Sequence, residues 1–304
     1  MKFFYASTGL WQPSWHSTLK IVQAVEELGF WGFVVPDQFM WDASDLGEQS
    51  TFSGIDSTME SWTALSYIAS KTSKIRLGTF VTPMPLRPPQ LVAKIVSTLD
   101  NISDGRVVLG VGAGATRRMF EAYATWDDEW TRAKKTREGV ELILQFWSKD
   151  SVNFRGKYYQ VTNTVLEPKP IQRPHPLLLF GGAGRMMLRL AGEVADICYI
   201  PPWIKMSYDE ARALVLEAAR KSGRVSSIAF AYSFDGVIPP RYDRKLFLQR
   251  VEEAVDKKCE YFMVPFRYVN EKPWKPDGIV SERETAALLE SISDFAKNIM
   301  PSFS

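Results

Sequence analysis

A (β/α)8 barrel is the fold class that the sequence predicts, on three observations. Short runs rich in β-branched and aromatic residues alternate eight times with longer stretches of helical period, the pattern of a closed parallel barrel. At 304 residues and 45% hydrophobic composition, the chain has the length of one such unit rather than needing two. Between Leu77 and Ala115 a strand, a helix and a second strand follow one another, and both strands end in small residues, Thr79 and Thr82 in one and Gly110, Gly112 and Gly114 in the other.

Strands are expected at Lys2–Ala6, Gly32–Val35, Ile75–Thr79, Val107–Gly110, Leu177–Phe180, Ile197–Ile200, Ile228–Phe234 and Glu260–Val264. Helices fit at Thr18–Leu28, Glu60–Lys71, Pro89–Asn101, Arg132–Trp147, Arg185–Glu193, Tyr208–Lys221, Lys245–Lys257 and Glu282–Asn298. They open on capping residues or carboxylates and carry apolar residues three and four apart, as in Leu142, Ile143, Phe146 and Trp147. Ser148–Pro176 breaks the alternation as an insertion, with a hairpin-like Val152–Gln160 and a proline-rich return, Glu167-Pro168-Lys169-Pro170. No low-complexity tract or long linker interrupts the chain, so residues 1–304 read as one domain.

A formal net charge of +2, with acids and bases mixed throughout, gives no basic stripe for nucleic acid, whereas an anionic small molecule needs only local charge. Cys198 and Cys259 are too few and too far apart for a disulfide framework or a cysteine metal site. The start MKFFYASTGLW shows no cleavable signal, and no apolar run reaches the roughly 20 residues that span a bilayer. A soluble cytoplasmic protein with a small-molecule substrate is expected, with no membrane or nucleic-acid partner.

In a barrel, function lies in the loops after the strands. After the second strand come Asp37 and Gln38; a glutamine can hydrogen-bond a ring or substrate oxygen but cannot shuttle a proton near pH 7. After the fourth strand stand Gly112, Ala113 and Gly114, and after the fifth Gly181, Gly182, Ala183, Gly184 and Arg185 open a helix. Exposed amides, a positive helix end and a cationic side chain suit a phosphate. The alternative for these glycines is tight packing at a helix start. His16 falls in the loop after the first strand, as a site residue or a helix-start residue, while His175 lies before the fifth strand and reads as structural. Of the acids near the active face, Asp42, Asp45 and Glu48 sit in a polar loop, and Glu60 heads a helix, where a carboxylate serves the dipole. No metal-ligand spacing and no Ser-His or Cys-His pairing emerges. Trp11, Trp15, Phe39, Trp41 and Trp203 are available as an apolar or planar wall.

The wording Leu77-Gly78-Thr79, Arg87-Pro88, Thr98-Leu99-Asp100, Ser103, Gly105-Arg106 and Leu109 to Gly114, with FRGKYYQVTNTVLEPKPIQRPHPLLLFGGAG further on, resembles the luciferase-like superfamily of flavin- and deazaflavin-dependent oxidoreductases to about residue 203. The resemblance implies a cofactor, coenzyme F420 or alternatively FMN, held by Asp37, the segment Thr79, Phe80, Val81 and Thr82, and the two glycine loops. It implies a non-prolyl cis peptide at Phe80–Val81 and a homodimer. In the sugar-phosphate dehydrogenases of this group a histidine stands where Gln38 is, a glutamate stands where Ala115 is, and a tryptophan comes near Trp41, here one position early. Gln38, Trp41 and His16 are accordingly the candidates for contact with the reacting groups. Arg117 and Arg118 are placed for an anionic group or the F420 polyglutamate tail. Hydride transfer between F420 and a small organic substrate is the function this favours, against an FMN-dependent monooxygenase using reduced flavin and oxygen, or a non-catalytic flavin-binding protein.

Overall fold

The computed structural model describes residues 1–7, 15–42, 55–56, 59–234, 242–266 and 282–303, with only the backbone described at 41–42 and 55–56. The chain divides into two compact units, Met1–Gly78 with Tyr199–Lys205 and Ala229–Ser304, and Thr79–Cys198 with Met206–Ile228.

In the first unit, β1 (Lys2–Ser7) lies between β2 (Gly32–Val35) and β13 (Tyr261–Phe266), all parallel, with Tyr5 opposite both Phe33 and Val264. β12 (Ala229–Tyr232) extends this sheet through Ala231 opposite Tyr261. Alternation along β1 turns Phe3 and Tyr5 to one face. There Phe3 meets Phe295 at 5.5 Å between centroids, and Tyr5 stacks on Phe33 at 5.6 Å. Phe295 comes from α9 (Glu282–Asn298), and Phe247 of α8 (Arg244–Asp256) packs on Phe234 and Phe266. Each aromatic pair contributes about 0.5–1.5 kcal/mol beyond its buried area, which makes this layer the core of the unit. α1 (Trp15–Glu27) joins it through Thr285, whose hydroxyl donates to Ser17 at 3.1 Å. At the foot of the sheet, Lys2 and Arg76 lie over the Trp31 ring.

In the second unit, β7 (Val107–Gly112) runs parallel between β6 (Thr82–Pro83) and β10 (Leu177–Gly181). α3 (Pro89–Ile102), α5 (Glu129–Ser148), α6 (Arg185–Val194) and α7 (Tyr208–Lys221) pack around it. Gly192 brings α6 and α7 together, since a Cβ there would stand 2.2 Å from the Val215 carbonyl. The insertion contains the antiparallel pair β8 (Val152–Arg155) and β9 (Gln160–Thr164), four residues longer than the expected hairpin. Glu138 of α5 holds its turn by accepting from the backbone N–H groups of Lys157, Tyr158 and Tyr159.

Much of the sequence wording quoted above is structural. The buried Asp100 carboxylate accepts from Ile171 N at 2.7 Å, Gln172 N at 3.0 Å and Gln172 Nε2 at 2.7 Å, which pins the return of the insertion to α3. Asp104 and Gly105 take positive φ in the turn after α3, and Arg106 Nε donates to the Ser103 carbonyl at 2.7 Å. His175 is structural as expected: its ring packs on Trp147, and Nδ1 lies 3.0 Å from the Pro176 carbonyl oxygen. No helix among the described residues is long and apolar enough to cross a membrane.

Candidate active site

The expected non-prolyl cis peptide is present at Phe80–Val81, between β5 (Arg76–Thr79) and β6. Thr79 and Thr82 flank it with fully buried side chains, and their hydroxyls hydrogen-bond each other at 2.9 Å. Thr79 Oγ1 also reaches the Gly110 carbonyl at 3.4 Å. These two threonines brace the segment, and Phe80 and Val81, half-buried, are the side chains it presents.

Gly110 and Gly112 of β7 fit the same segment, and Gly114, two residues past the strand, fits against the Phe120 ring. A Cβ on Gly110 would stand 1.9 Å from the Thr79 carbonyl oxygen, one on Gly112 2.4 Å from Val81 Cγ2, and one on Gly114 2.4 Å from the Phe120 ring. Gly114 also has φ +83°, a conformation that glycine adopts without strain. Sequence reasoning assigns the small residues here to a ligand; the structure shows that this chain's own atoms fill the space beside all three. Ala113 is half-buried and Ala115 exposed.

After β10, residues Gly181 to Gly184 are half-buried and lead into α6. Gly184 is the N-cap and offers no side chain to the first-turn amides, while Arg185 is exposed beside them. The N–H groups of a first helical turn have no partner inside the helix, so this end carries partial positive charge. A Cβ on Gly184 would stand 3.1 Å from Glu129 Oε1, which places an exposed carboxylate at the rim of the loop. Glu129 opens α5 next to its cap, Asp128, whose side chain accepts from Thr131 N. Between the glycine strand and α5 the chain forms a helix that sequence reasoning misses, α4 (Arg117–Tyr123), which carries exposed Arg117 and Arg118. Arg117 pairs with Glu121 across one turn. Phe120 of α4 stacks edge-on with Trp126, which in turn lies 3.8 Å from the Arg132 guanidinium.

In the first unit, Asp37 is buried and Gln38 half-buried just past the end of β2. Gln38 Oε1 is buried with no hydrogen-bond partner. Ser61, the first residue of α2 (Ser61–Ala69), donates to the Pro36 carbonyl at 2.8 Å and so fixes the helix start against this loop. Glu60 caps α2 by accepting from Thr63 N at 2.7 Å, the helix-terminal role expected for it. His16 is the second residue of α1 and exposed. Trp41 lies in a two-residue strand, β3 (Trp41–Asp42), paired antiparallel with β4 (Ile55–Asp56). The side chains of Trp41 and Asp42, and all of Trp11, Asp45 and Glu48, lie outside the described residues. Trp15 is half-buried against Tyr67, and Trp203 is two-thirds exposed with its edge toward Tyr199.

Two polar residues that sequence reasoning passes over also sit at strand ends. Tyr199, at the end of β11 (Ile197–Tyr199), has its hydroxyl 2.8 Å from Ser233 Oγ, one residue past β12. Burial pushes the Tyr199 phenol well above the ordinary tyrosine range, so it stays neutral throughout the physiological range.

Residues 3–240 match the family model of the luciferase-like monooxygenases. The chain belongs to this family. Over 144 residues this luciferase-like protein is 31% identical to the FMNH2-dependent dimethylsulfone monooxygenase of Pseudomonas putida, covering 47% of this chain and 39% of that one. Over 179 residues it is 30% identical to the F420-dependent glucose-6-phosphate dehydrogenase of Kineococcus radiotolerans, covering 56% of this chain and 52% of that one. It therefore spans about half or less of the length of these relatives. Along its whole length it superposes on an F420-dependent secondary alcohol dehydrogenase, with TM-score 0.77, 18% identity and 99% of that chain covered. The F420-dependent tetrahydromethanopterin reductase of Methanopyrus kandleri gives TM-score 0.75 at 18% identity, again with 100% of this chain and 99% of that one covered. At that identity the likeness shows the fold, which is the parallel-stranded TIM barrel the sequence predicts.

Proposed function

We propose that this luciferase-like protein is an oxidoreductase that binds coenzyme F420 and moves a hydride between it and a small organic substrate. The observation that carries the reading is the start of α6: a run of glycines, an N-terminus without a side-chain cap, and Arg185 exposed beside it. Backbone N–H groups pointing out of a helix start, with a guanidinium alongside, are the donors a phosphate monoester or diester takes. The residues present thus fit the phosphate that F420 and FMN have in common.

When bound, a deazaflavin supplies a carbon that gives or accepts a hydride, and the protein supplies position and exclusion of water. In this chain Gly181 to Gly184 and Arg185 would hold the phosphate, and Phe80 and Val81 offer apolar side chains to a planar ring. Gln38 can accept or donate a hydrogen bond to a ligand but takes no part in proton transfer near pH 7. By the resemblance, Gln38 and Ala115 replace the histidine and glutamate of the sugar-phosphate dehydrogenases. We therefore assign no sugar phosphate as the substrate, and protons exchanged in the reaction come from solvent or from the substrate itself. A deazaflavin is preferred to FMN because Asp37 and Phe39, with a tryptophan close after them, keep the wording of the deazaflavin branch. The similarity to an FMNH2-dependent monooxygenase supports the second reading, reduced FMN with oxygen. We further read the chain as a single domain that pairs as a homodimer.

Titration of the purified protein with F420 and with FMN, followed by quenching of cofactor fluorescence, tests this directly. Saturable quenching of F420 and none of FMN supports hydride transfer; the reverse supports the monooxygenase, and quenching of neither removes the cofactor reading.

Glu129 gives this site an electrostatic lever. An exposed carboxylate at the rim of an anion-binding loop opposes the anion by a few tenths of a kcal/mol up to about 1 kcal/mol. The Glu129→Gln variant is expected to bind FMN or F420 about two- to fivefold more tightly. The gain should shrink as salt is raised, which the same titration at low and high ionic strength checks.

A further inference from the structure

In the second unit, α4 has seven residues and buries two side chains, Met119 and Phe120. A helix of that length is marginal by itself, so what its side chains pack against sets its place. Phe120 is fully buried, and its ring stands where a side chain on Gly114 would go: a Cβ there would lie 2.4 Å from Phe120 Cε2 and 3.2 Å from Pro83 Cβ. Gly114 is thus wedged between α4 and β6. The Phe120 ring also meets Trp126 edge-on, 5.6 Å between centroids, and the Arg132 guanidinium lies 3.8 Å from the Trp126 ring. Arg132, on α5, is buried and donates to the Asp127 carbonyl at 2.6 Å, so one planar side chain both covers the ring and ties down the residue next to it. The far end of this series reaches the proposed ring site. Pro83 pairs with Gly112 in the sheet, and a Cβ on Gly112 would stand 2.4 Å from Val81 Cγ2.

We propose that Trp126 and Arg132 are positioning residues for the ring site: through Phe120 and Gly114 they fix Pro83, and with it the segment that presents Phe80 and Val81. The proposal rests on the proposed contact of those two side chains with a cofactor ring. Close-packed interiors transmit displacement, and Gly114 has no side chain of its own to absorb one. A smaller residue at 126 opens space into which the Phe120 ring moves, which releases Gly114 and loosens the wall behind Val81. Gly181 to Gly184 and Arg185 follow a different strand, so the phosphate they are proposed to hold keeps its contribution. A ring ligand with the phosphate and one without it therefore lose affinity together.

The test compares Trp126→Leu, Trp126→Tyr and Arg132→Lys with the wild-type protein in the fluorescence titration, using FMN with riboflavin, and F420 with the deazaflavin that lacks the phosphate-linked side chain. For the pair that the wild-type protein binds, both members should weaken by the same factor, tenfold or more in Trp126→Leu and threefold or more in Arg132→Lys. Trp126→Tyr keeps a ring for Phe120 and Arg132 and should stay within twofold. A fall confined to the phosphate-bearing member, or wild-type affinity in folded Trp126→Leu, overturns the proposal. A second readout needs no ligand. With 13C at alanine carbonyls and 15N at glycine, only Gly114, Gly184 and Gly192 follow an alanine and give a coupled signal, and Ala113→Ser identifies that of Gly114 by removing it. The Gly114 signal should move in Trp126→Leu and Arg132→Lys and hold in Trp126→Tyr, with Gly192 unmoved in all three. A Gly114 signal that neither Trp126→Leu nor Arg132→Lys moves overturns the proposal. Should Trp126→Leu not fold, Arg132→Lys, which removes no ring, decides by both readouts. Wild-type protein that binds neither F420 nor FMN removes the proposed cofactor function and this inference with it, whereas wild-type binding that survives both substitutions removes this inference alone.

Discussion

Replacing Asp100 by alanine is expected to destabilise the protein by about 3 kcal/mol, because three part-buried donors lose one buried acceptor at once; each such loss costs about 1–3 kcal/mol, toward the lower end where water can reach the donor, and neighbouring losses add incompletely. Asp100 is fully buried and takes Ile171 N, Gln172 N and Gln172 Nε2. The side-chain amide keeps a second acceptor, the Val107 carbonyl at 2.8 Å, so the two backbone donors bear most of the loss. Urea denaturation checks the value. Asparagine at this position is expected to recover more than half of the loss, since its carbonyl oxygen can take both backbone donors, which share Oδ2, and its amide nitrogen faces only Gln172 Nε2. The same variant should leave the affinity for cofactor unchanged in the folded protein, because the contact ties an insertion to a helix and lies away from the glycine loops.

Gly110→Ala is the second large effect, a loss of about 3 kcal/mol or more, at the upper end of what overpacking costs. The atom that a new Cβ meets at 1.9 Å is a backbone carbonyl oxygen in the segment carrying Phe80 and Val81, and backbone cannot turn aside as a flexible side chain can. Folding and ligand binding should therefore fail together in this variant, with reduced thermal stability and reduced quenching of cofactor. Gly182→Ala is the internal comparison: its Cβ would stand 3.0 Å from Met187 Cβ, a contact that a shift of a few tenths of an ångström between the loop and the first turn of α6 relieves. It is expected to cost less than about 1 kcal/mol in stability.

These two residues also show what can be read from the sequence and what cannot. Strands and helices are legible because burial writes itself into periodicity: Gly32–Val35, Tyr208–Lys221 and Glu282–Asn298 have the expected bounds, and the ends of the other expected strands and helices lie within three residues of their expected places. Strand β7 runs to Gly112 rather than Gly110, since glycines carry no apolar signal that would mark the last two residues as strand. Helix α4 escapes because its seven residues follow a glycine run and start with two arginines. Within the site, Gly110, Gly112 and Gly114 are visible as a motif while their cause is not. A sequence shows that a position is small without showing which backbone or ring crowds it. Trp126 offers no signal at all, since a lone tryptophan before a helix start reads as packing until its ring is found joining Phe120 to Arg132. Glu129 likewise becomes relevant only through its approach to Gly184, 55 residues along the chain.

The start of α6 as a phosphate site is what the functional reading rests on, and a comparison of ligands with and without the phosphate addresses it most directly. Dissociation constants are measured for FMN against riboflavin, and for F420 against the deazaflavin lacking its phosphate-linked side chain, in the wild-type protein and in Arg185→Ala. A phosphate held by helix amides and a guanidinium should make the phosphorylated member of at least one pair bind about 30-fold or more tightly, a difference of about 2 kcal/mol. Arg185→Ala should remove most of that ratio while leaving the affinity of the phosphate-free ligand unchanged. Equal affinities within both pairs, or a ratio that survives in Arg185→Ala, would contradict the assignment of this loop.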